Sequence, residues 1–160
     1  MKLFAATPIY TIYIKELCSP GRAGEKITVG QMVKDLFTGA ELCHENSGAP
    51  FVEGSDKHIS ISHGGGYAVM AVSDKPIGVD IEAPREQLER IRHKFMRVED
   101  SAASLLHAWT AKEAAFKASG NSSVTVHDIV VKDNSAYISG NGWKTIDFYN
   151  LDSLLIAVAH

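Results

Sequence analysis

A chain of 160 residues is long enough to bury one sizeable core, or two small halves sharing an interface. Its hydrophobic content of 45% and charged content of 22% are those of an ordinary soluble globular protein, and a net charge of −3 offers no electrostatic basis for binding nucleic acid. Cys18 and Cys43 are too few for a disulfide framework and have no metal-ligand spacing, so a cytoplasmic location is expected.

Met1–Pro8 is a faint imitation of a secretory leader, with too short an apolar run. Ile9–Ile14, rich in β-branched and aromatic residues, reads as the first strand. Ser19–Gly24 reads as a loop, and Val29, Met32, Val33, Leu36 and Phe37 have the spacing of a helix that Gly39 stops. Asn46–Pro50 is a turn cluster before a short strand at Phe51-Val52. His58–Ser62 and Tyr67–Val72 form a hairpin across His63-Gly64-Gly65-Gly66. The glycines are either a plain turn or a close approach to phosphate, and His63 either a surface histidine or a ligand.

Lys75–Glu82 climbs into a strand that Ala83-Pro84 closes. Residues two apart share one face of a strand, so Asp80 and Glu82 stand side by side while Ile77, Val79 and Ile81 face a core. From Pro84 to Arg97 the chain concentrates Arg85, Arg90, Arg92, Lys94 and Arg97, five of its sixteen Lys and Arg residues. That segment is either a solvated face or a dock for an acidic partner. A helix follows from about Asp100 to Ser119, with Ala102, Leu105, Leu106, Trp109 and Phe116 on one apolar stripe. Glu113 falls inside that stripe, with Lys112 and Lys117 on its borders. Val124–Val131, Ala136–Ile138, Trp143–Tyr149 and Leu154–Ala159 are strands separated by turn residues. The last is far too short to span a membrane. The order of elements gives an α+β fold of two roughly similar halves, 1–83 and 84–160.

Two carboxylates on one strand face repel unless a cation lies between them, and a carboxylate on a core-facing helix stripe is costly unless paired or bound to metal. An ordinary Glu113–Lys117 i,i+4 pair would account for the helix alone. Asp80, Glu82, Glu113 and Lys117 together, with no cysteine nearby, suggest a hard cation, Mg²⁺ before Zn²⁺, with phosphate completing its shell.

Gly78-Val79-Asp80-Ile81-Glu82, followed by Trp109-Thr110-Ala111-Lys112-Glu113-Ala114-Ala115-Phe116-Lys117, resembles the paired signature of the 4′-phosphopantetheinyl transferases. Ser62-His63 resembles the Ser-His that precedes the first block in the Sfp-like class. The resemblance implies a fold of two pseudo-symmetric halves with coenzyme A between them. It also implies transfer of the phosphopantetheine arm to a serine of an apo acyl or peptidyl carrier protein, releasing 3′,5′-ADP. By it, Asp80, Glu82 and Glu113 would hold Mg²⁺. Ser62, His63, Lys112 and Lys117 would meet the coenzyme, with His63 at its 3′-phosphate and Lys117 also catalytic as a point charge on the phosphates, and Glu99 would act as general base or orient a water for that role. The basic segment Arg85–Arg97 would receive the acidic carrier. Two departures stand out: Gly48-Ala49-Pro50 occupies the place of the family's Gly-Lys-Pro, and the N-terminal half is short. The alternatives are a catalytically lapsed module that binds coenzyme A or a carrier protein, and an unrelated Mg²⁺-dependent phosphohydrolase.

Overall fold

The computed structural model describes residues 1–160. In chain order come β1 (Lys2–Ala6), β2 (Tyr10–Glu16), α1 (Gly21–Leu36), the short pair β3 (Leu42–His44) and β4 (Pro50–Val52), β5 (His58–Gly64) and β6 (Tyr67–Ser73). The rest comprises β7 (Gly78–Glu82), α2 (Gln87–Ile91), α3 (Leu105–Ser119), β8 (Ile129–Lys132), β9 (Ser135–Ile138), β10 (Gly142–Leu151) and β11 (Leu154–Ala159). One sheet has the order β1-β2-β6-β5, the second β7-β11-β10-β9-β8, and their strand pairs are antiparallel. With three helices beside them, this is an α+β chain.

The layers follow from the alternation of apolar residues along each strand. Ile12 and Ile14 of β2 and Val69 and Ala71 of β6 face Val79 and Ile81 of β7 and Ile156 and Val158 of β11, so the two sheets share a core. The other face of the first sheet carries α1, through Val29, Met32 and Val33. The other face of the second sheet carries α3, through Ala111, Ala114, Ala115 and Ala118. The hairpin of β5 and β6 closes through Gly65-Gly66, both at positive φ, as a two-residue turn between twisted strands requires.

Several elements differ from their sequence expectations. β1 forms where no strand is expected, and α1 begins at Gly21, taking in the last four residues of the expected loop. The α3 helix starts at Leu105, because Ser104 caps it by accepting from the His107 N–H at 3.2 Å. Asp100 lies before it and ties the preceding turn to β8, accepting from the Arg97 and Val131 N–H groups at 2.7 Å each. Val126–Asp128 is a 3₁₀ turn that shortens the expected strand.

The buried side of α3 also differs. It is made of alanines together with Thr110 and Lys112, while Leu105, Leu106, Trp109 and Phe116 are only half-buried. Short side chains let the helix axis approach the sheet, and Gly78 permits the rest of that approach. A Cβ there would lie 1.9 Å from the Ala114 carbonyl oxygen.

Candidate functional site

The approach of α3 to β7 brings the two sequence blocks together. Gly78, Asp80 and Glu82 share the strand face turned towards α3, and Asp80 is buried. Its Oδ1 accepts from Lys117 Nζ at 2.8 Å and from the Ser62 hydroxyl at 2.8 Å. Its Oδ2 is buried with no partner, an expensive state for a carboxylate oxygen. Lys117 Nζ donates also to the Val79 carbonyl at 2.9 Å. Two of the three ammonium protons are thereby engaged, and the third is free for a ligand.

Glu82 takes a different set of partners. Its Oε1 accepts from the Trp109 indole N–H at 2.7 Å and from the Arg85 guanidinium at 2.8 Å. Burial pushes its carboxyl above the ordinary range; the Trp109 bond pulls the other way, and the Asp80 charge adds to the rise. Glu113 is half-buried and makes no ion pair or hydrogen bond through its side chain. Burial, followed by the charge of Asp80, raises its carboxyl, with Lys117 opposing and Glu82 adding. The i,i+4 ion pair of Glu113 with Lys117 is therefore not formed; the lysine reaches across to the strand instead.

The Asp80 charge raises the proton affinity of Glu82 and Glu113, Glu82 adds to the rise at Glu113, and Asp80 itself carries an orphaned oxygen. This all-oxygen set fits a hard divalent cation in kind. As they stand, no three His, Cys, Asp or Glu side chains are grouped closely enough to enclose one.

A trough runs from this junction across the first sheet. A hollow of about 260 Å³ is lined by Ala49, Ile61, Phe116, Lys117 and Asn121. It adjoins a cleft of about 590 Å³ lined by Arg22, Lys26, His44 and His63, and Gly48, Pro50 and Ile61 line both. His63 is exposed at the end of β5, with its Nδ1 3.6 Å from Glu25. Sequence reasoning missed Arg22 and Lys26. Their i,i+4 spacing would have placed them on one helix face, had residues 21–24 been read as helical.

Three expected site residues are placed elsewhere. Lys112 is fully buried and its ammonium is spent, with Phe95 O at 2.7 Å, Ile129 O at 2.6 Å and Asp100 Oδ2 at 2.7 Å. Burial lowers its pKa and Asp100 opposes the shift. It fastens the 95–100 segment and β8 to α3, and no proton is left for a phosphate. Glu99 is exposed and pairs with Arg97 Nε at 3.3 Å, which lowers its carboxyl. That makes it a weaker base. Ser62 is buried; its hydroxyl donates to Asp80 and accepts from the Ile81 N–H at 3.4 Å, so it holds the carboxylate instead of facing the trough.

The basic segment is partly neutralised. Arg85 is held by Glu82, Arg92 lies 3.8 Å from Glu89, and Arg97 is on Glu99, leaving Arg90 and Lys94 exposed without ion pairs. No helix is long and apolar enough to cross a membrane.

No family model matches the chain. Over 110 residues, covering 62% of this chain and 44% of the relative, it is 30% identical to the 4′-phosphopantetheinyl transferase gsp of Aneurinibacillus migulanus. The chain thus spans less than half the length of the curated relative it matches, and its similarity is to a phosphopantetheinyl transferase.

Proposed function

We propose that this chain transfers the 4′-phosphopantetheine arm of coenzyme A to a serine of an apo carrier protein. The observation that carries the reading is the junction of β7 and α3. There Lys117 pairs with Asp80, whose Oδ2 has no partner, and the charges of Asp80, Lys117 and Glu82 all act on Glu113, at the end of a trough whose far end gathers Arg22, Lys26, His44 and His63. The similarity to a phosphopantetheinyl transferase supports it.

In this reading the coenzyme lies along the trough. Its terminal phosphate meets His63, with Arg22 and Lys26 supplying cationic charge on a wall where Ala49 supplies none. Its diphosphate comes to Lys117. Asp80, Glu82 and Glu113 would hold Mg²⁺, which when bound neutralises charge on the diphosphate oxygens. The carrier serine oxygen forms a bond to the phosphorus bearing the pantetheine arm, and the bond from that phosphorus to the bridging oxygen breaks. The product 3′,5′-ADP takes the electron pair, and the serine proton passes to solvent. Such a transfer needs alignment and charge cancellation more than covalent help from the protein. Lys117 contributes a fixed positive charge at the end of the trough.

The two sheets support a pseudo-symmetric pair of halves. In the first, strand β2, helix α1 and hairpin β5-β6 give the order β2-β6-β5; in the second, β7, α3 and hairpin β10-β11 give β7-β11-β10, which suits a division ahead of β7 instead of one at residue 83. The free thiols of Cys18 and Cys43 suit a reducing cytoplasm. Incubation with coenzyme A, Mg²⁺ and a panel of apo carrier proteins, followed by mass spectrometry, tests the reading. A phosphopantetheine adduct on a carrier serine is expected; no adduct on any carrier, with coenzyme A still bound, would support the lapsed binding module that Ala49 favours.

A further inference from the structure

Glu82 presents a conflict. It belongs by position with Asp80 and Glu113, yet the oxygen that makes its hydrogen bonds is turned to Trp109 and Arg85, and the three carboxylates do not close into a group that could enclose a cation. The clamp is built from two donors that meet on one oxygen. The Arg85 guanidinium also lies over the Trp109 ring, 5.6 Å from its centre, and Trp109 is braced edge-on by the buried Phe95 at 5.1 Å between centroids. Trp109 is thus fixed, whereas Arg85 is exposed and sits beside Pro84, Leu88, Leu105 and Leu106 on a groove of about 450 Å³.

We infer that Arg85 and Trp109 withhold Glu82 from the Asp80–Glu113 pair, and that an acidic protein surface engaging Arg85 releases Glu82 to complete the cation site. The inference rests on the reading of Asp80, Glu82 and Glu113 as cation ligands and adds a coupling between partner docking and cation affinity. Its basis is charge. Arg85 is the one cation of the basic segment that touches an expected ligand, and its partner carboxylate is replaceable by another carboxylate at the same exposed guanidinium. Trp109 and Arg85 are positioning residues here, acting only through Glu82. If they instead oriented Glu82 as a ligand, in the way outer-sphere partners commonly do, their loss would weaken cation binding. The two arrangements predict opposite signs.

The test is Mn²⁺ binding to the free protein, read by electron paramagnetic resonance without turnover. Trp109→Phe removes one donor without changing charge and is expected to tighten Mn²⁺ binding about two- to tenfold, the factor matching a hydrogen bond worth ~0.5–1.4 kcal/mol. Arg85→Gln is expected to do at least as much. In the wild type an apo acyl carrier protein is expected to tighten Mn²⁺ binding, and coenzyme A alone to leave the Arg85 dependence unchanged; in Arg85→Gln the carrier effect is expected to vanish. Weaker or unchanged binding in Trp109→Phe overturns the inference, because a gain in Arg85→Gln alone reduces to lost repulsion. Asp80→Asn separates the underlying reading. If it abolishes Mn²⁺ binding while the Trp109 and Arg85 variants have no effect, the ligand assignment stands and only the clamp falls. If Asp80→Asn binds as well as the wild type, both fall.

Discussion

Lys117 Nζ stands 2.8 Å from Asp80 Oδ1, across the gap between helix and strand, and passes over Glu113 one turn back along its own helix. The helical pair would have neutralised Glu113 locally and left Asp80 buried with the Ser62 hydroxyl as its one side-chain donor and no cation. The cross-element pair does the reverse. It fastens α3 to β7 and leaves Glu113 with a raised proton affinity beside the site.

Replacing Lys117 by Met is therefore expected to cost stability as well as activity. A fully buried pair broken from one side loses ~3–5 kcal/mol; the lysine side chain is 27% exposed, so about 2 kcal/mol is expected by urea titration. Adding Asp80→Asn should recover part of that loss, since position 80 is then no longer a buried carboxylate without its cation. Additive losses in the double variant would show that the two side chains do not interact as the geometry has it.

Gly78→Ala tests the seating of the helix. Its Cβ would collide with helix backbone, 1.9 Å from Ala114 O and 2.6 Å from Ala118 N, and backbone cannot rotate out of the way. The helix must lift, at about 1–3 kcal/mol, carrying Glu113 and Lys117 away from Asp80. A lower melting temperature and loss of the Lys117–Asp80 coupling measured in the Lys117 experiment are expected together. A variant with a wild-type melting temperature would contradict the close contact.

Lys112→Met should separate a structural lysine from a phosphate ligand. Removing the ammonium leaves Asp100 and two carbonyls buried without their donor, at ~3–5 kcal/mol. The same change at a phosphate-binding lysine would weaken coenzyme A binding and leave stability nearly untouched. Urea unfolding and coenzyme A titration on one preparation, below its melting temperature, distinguish the two. The expected result is a large stability loss with coenzyme A affinity within about twofold for the folded fraction.

What the sequence made legible follows the range of the interactions. The alternation of Val79, Asp80, Ile81 and Glu82 is a local, period-two signal, and the strand buries Val79 and Ile81 towards the first sheet as expected. The hairpin glycines were equally plain. On α3 the pattern misled, because bulky Leu105, Trp109 and Phe116 outweigh alanines on any hydropathy stripe, while the sheet contact is built from Ala111, Ala114, Ala115 and Ala118. Burial of Lys112 depends on Phe95, Asp100 and Ile129, contributed from both sides of the chain, and no local spacing shows it. Arg22 and Lys26 were lost with the first turns of α1. Glu99 was placed by analogy alone, and its position is decided by Arg97 two residues away.

Proton linkage gives a further measurement. Glu82 and Glu113 have folded-state pKa values raised above the ordinary carboxyl value of 4.5, first by burial. Between that value and the raised one, the folded chain keeps protons that the unfolded chain has lost. Their contribution to stability is fully present below about pH 4.5 and is lost as pH rises through the folded values. Subtracting Glu113→Gln from wild type isolates one group. The stability difference between them is expected to move against the wild type as pH rises from about 4.5 to 7, and to move back when Mn²⁺ is added. A difference independent of pH would mean that burial does not raise the Glu113 carboxyl.

The remaining exposed cations of the α2 region bear on partner choice. Arg90 and Lys94 make no ion pairs, and Arg92 is only loosely tied to Glu89 at 3.8 Å. Charges of this kind act over a Debye length of about 8 Å at physiological salt, so under the proposed function they would steer an acidic carrier protein without shaping the trough. Reversing Arg90 and Arg92 to Glu is expected to raise KM for the carrier protein roughly tenfold or more at low salt, to lose most of that effect at ~0.5 M NaCl, and to leave the Kd for coenzyme A unchanged. Steady-state kinetics with carrier varied at two salt concentrations, beside a direct coenzyme A titration, gives all three numbers. Equal losses towards carrier and coenzyme would place these arginines in the fold or the trough and remove the docking role from this face.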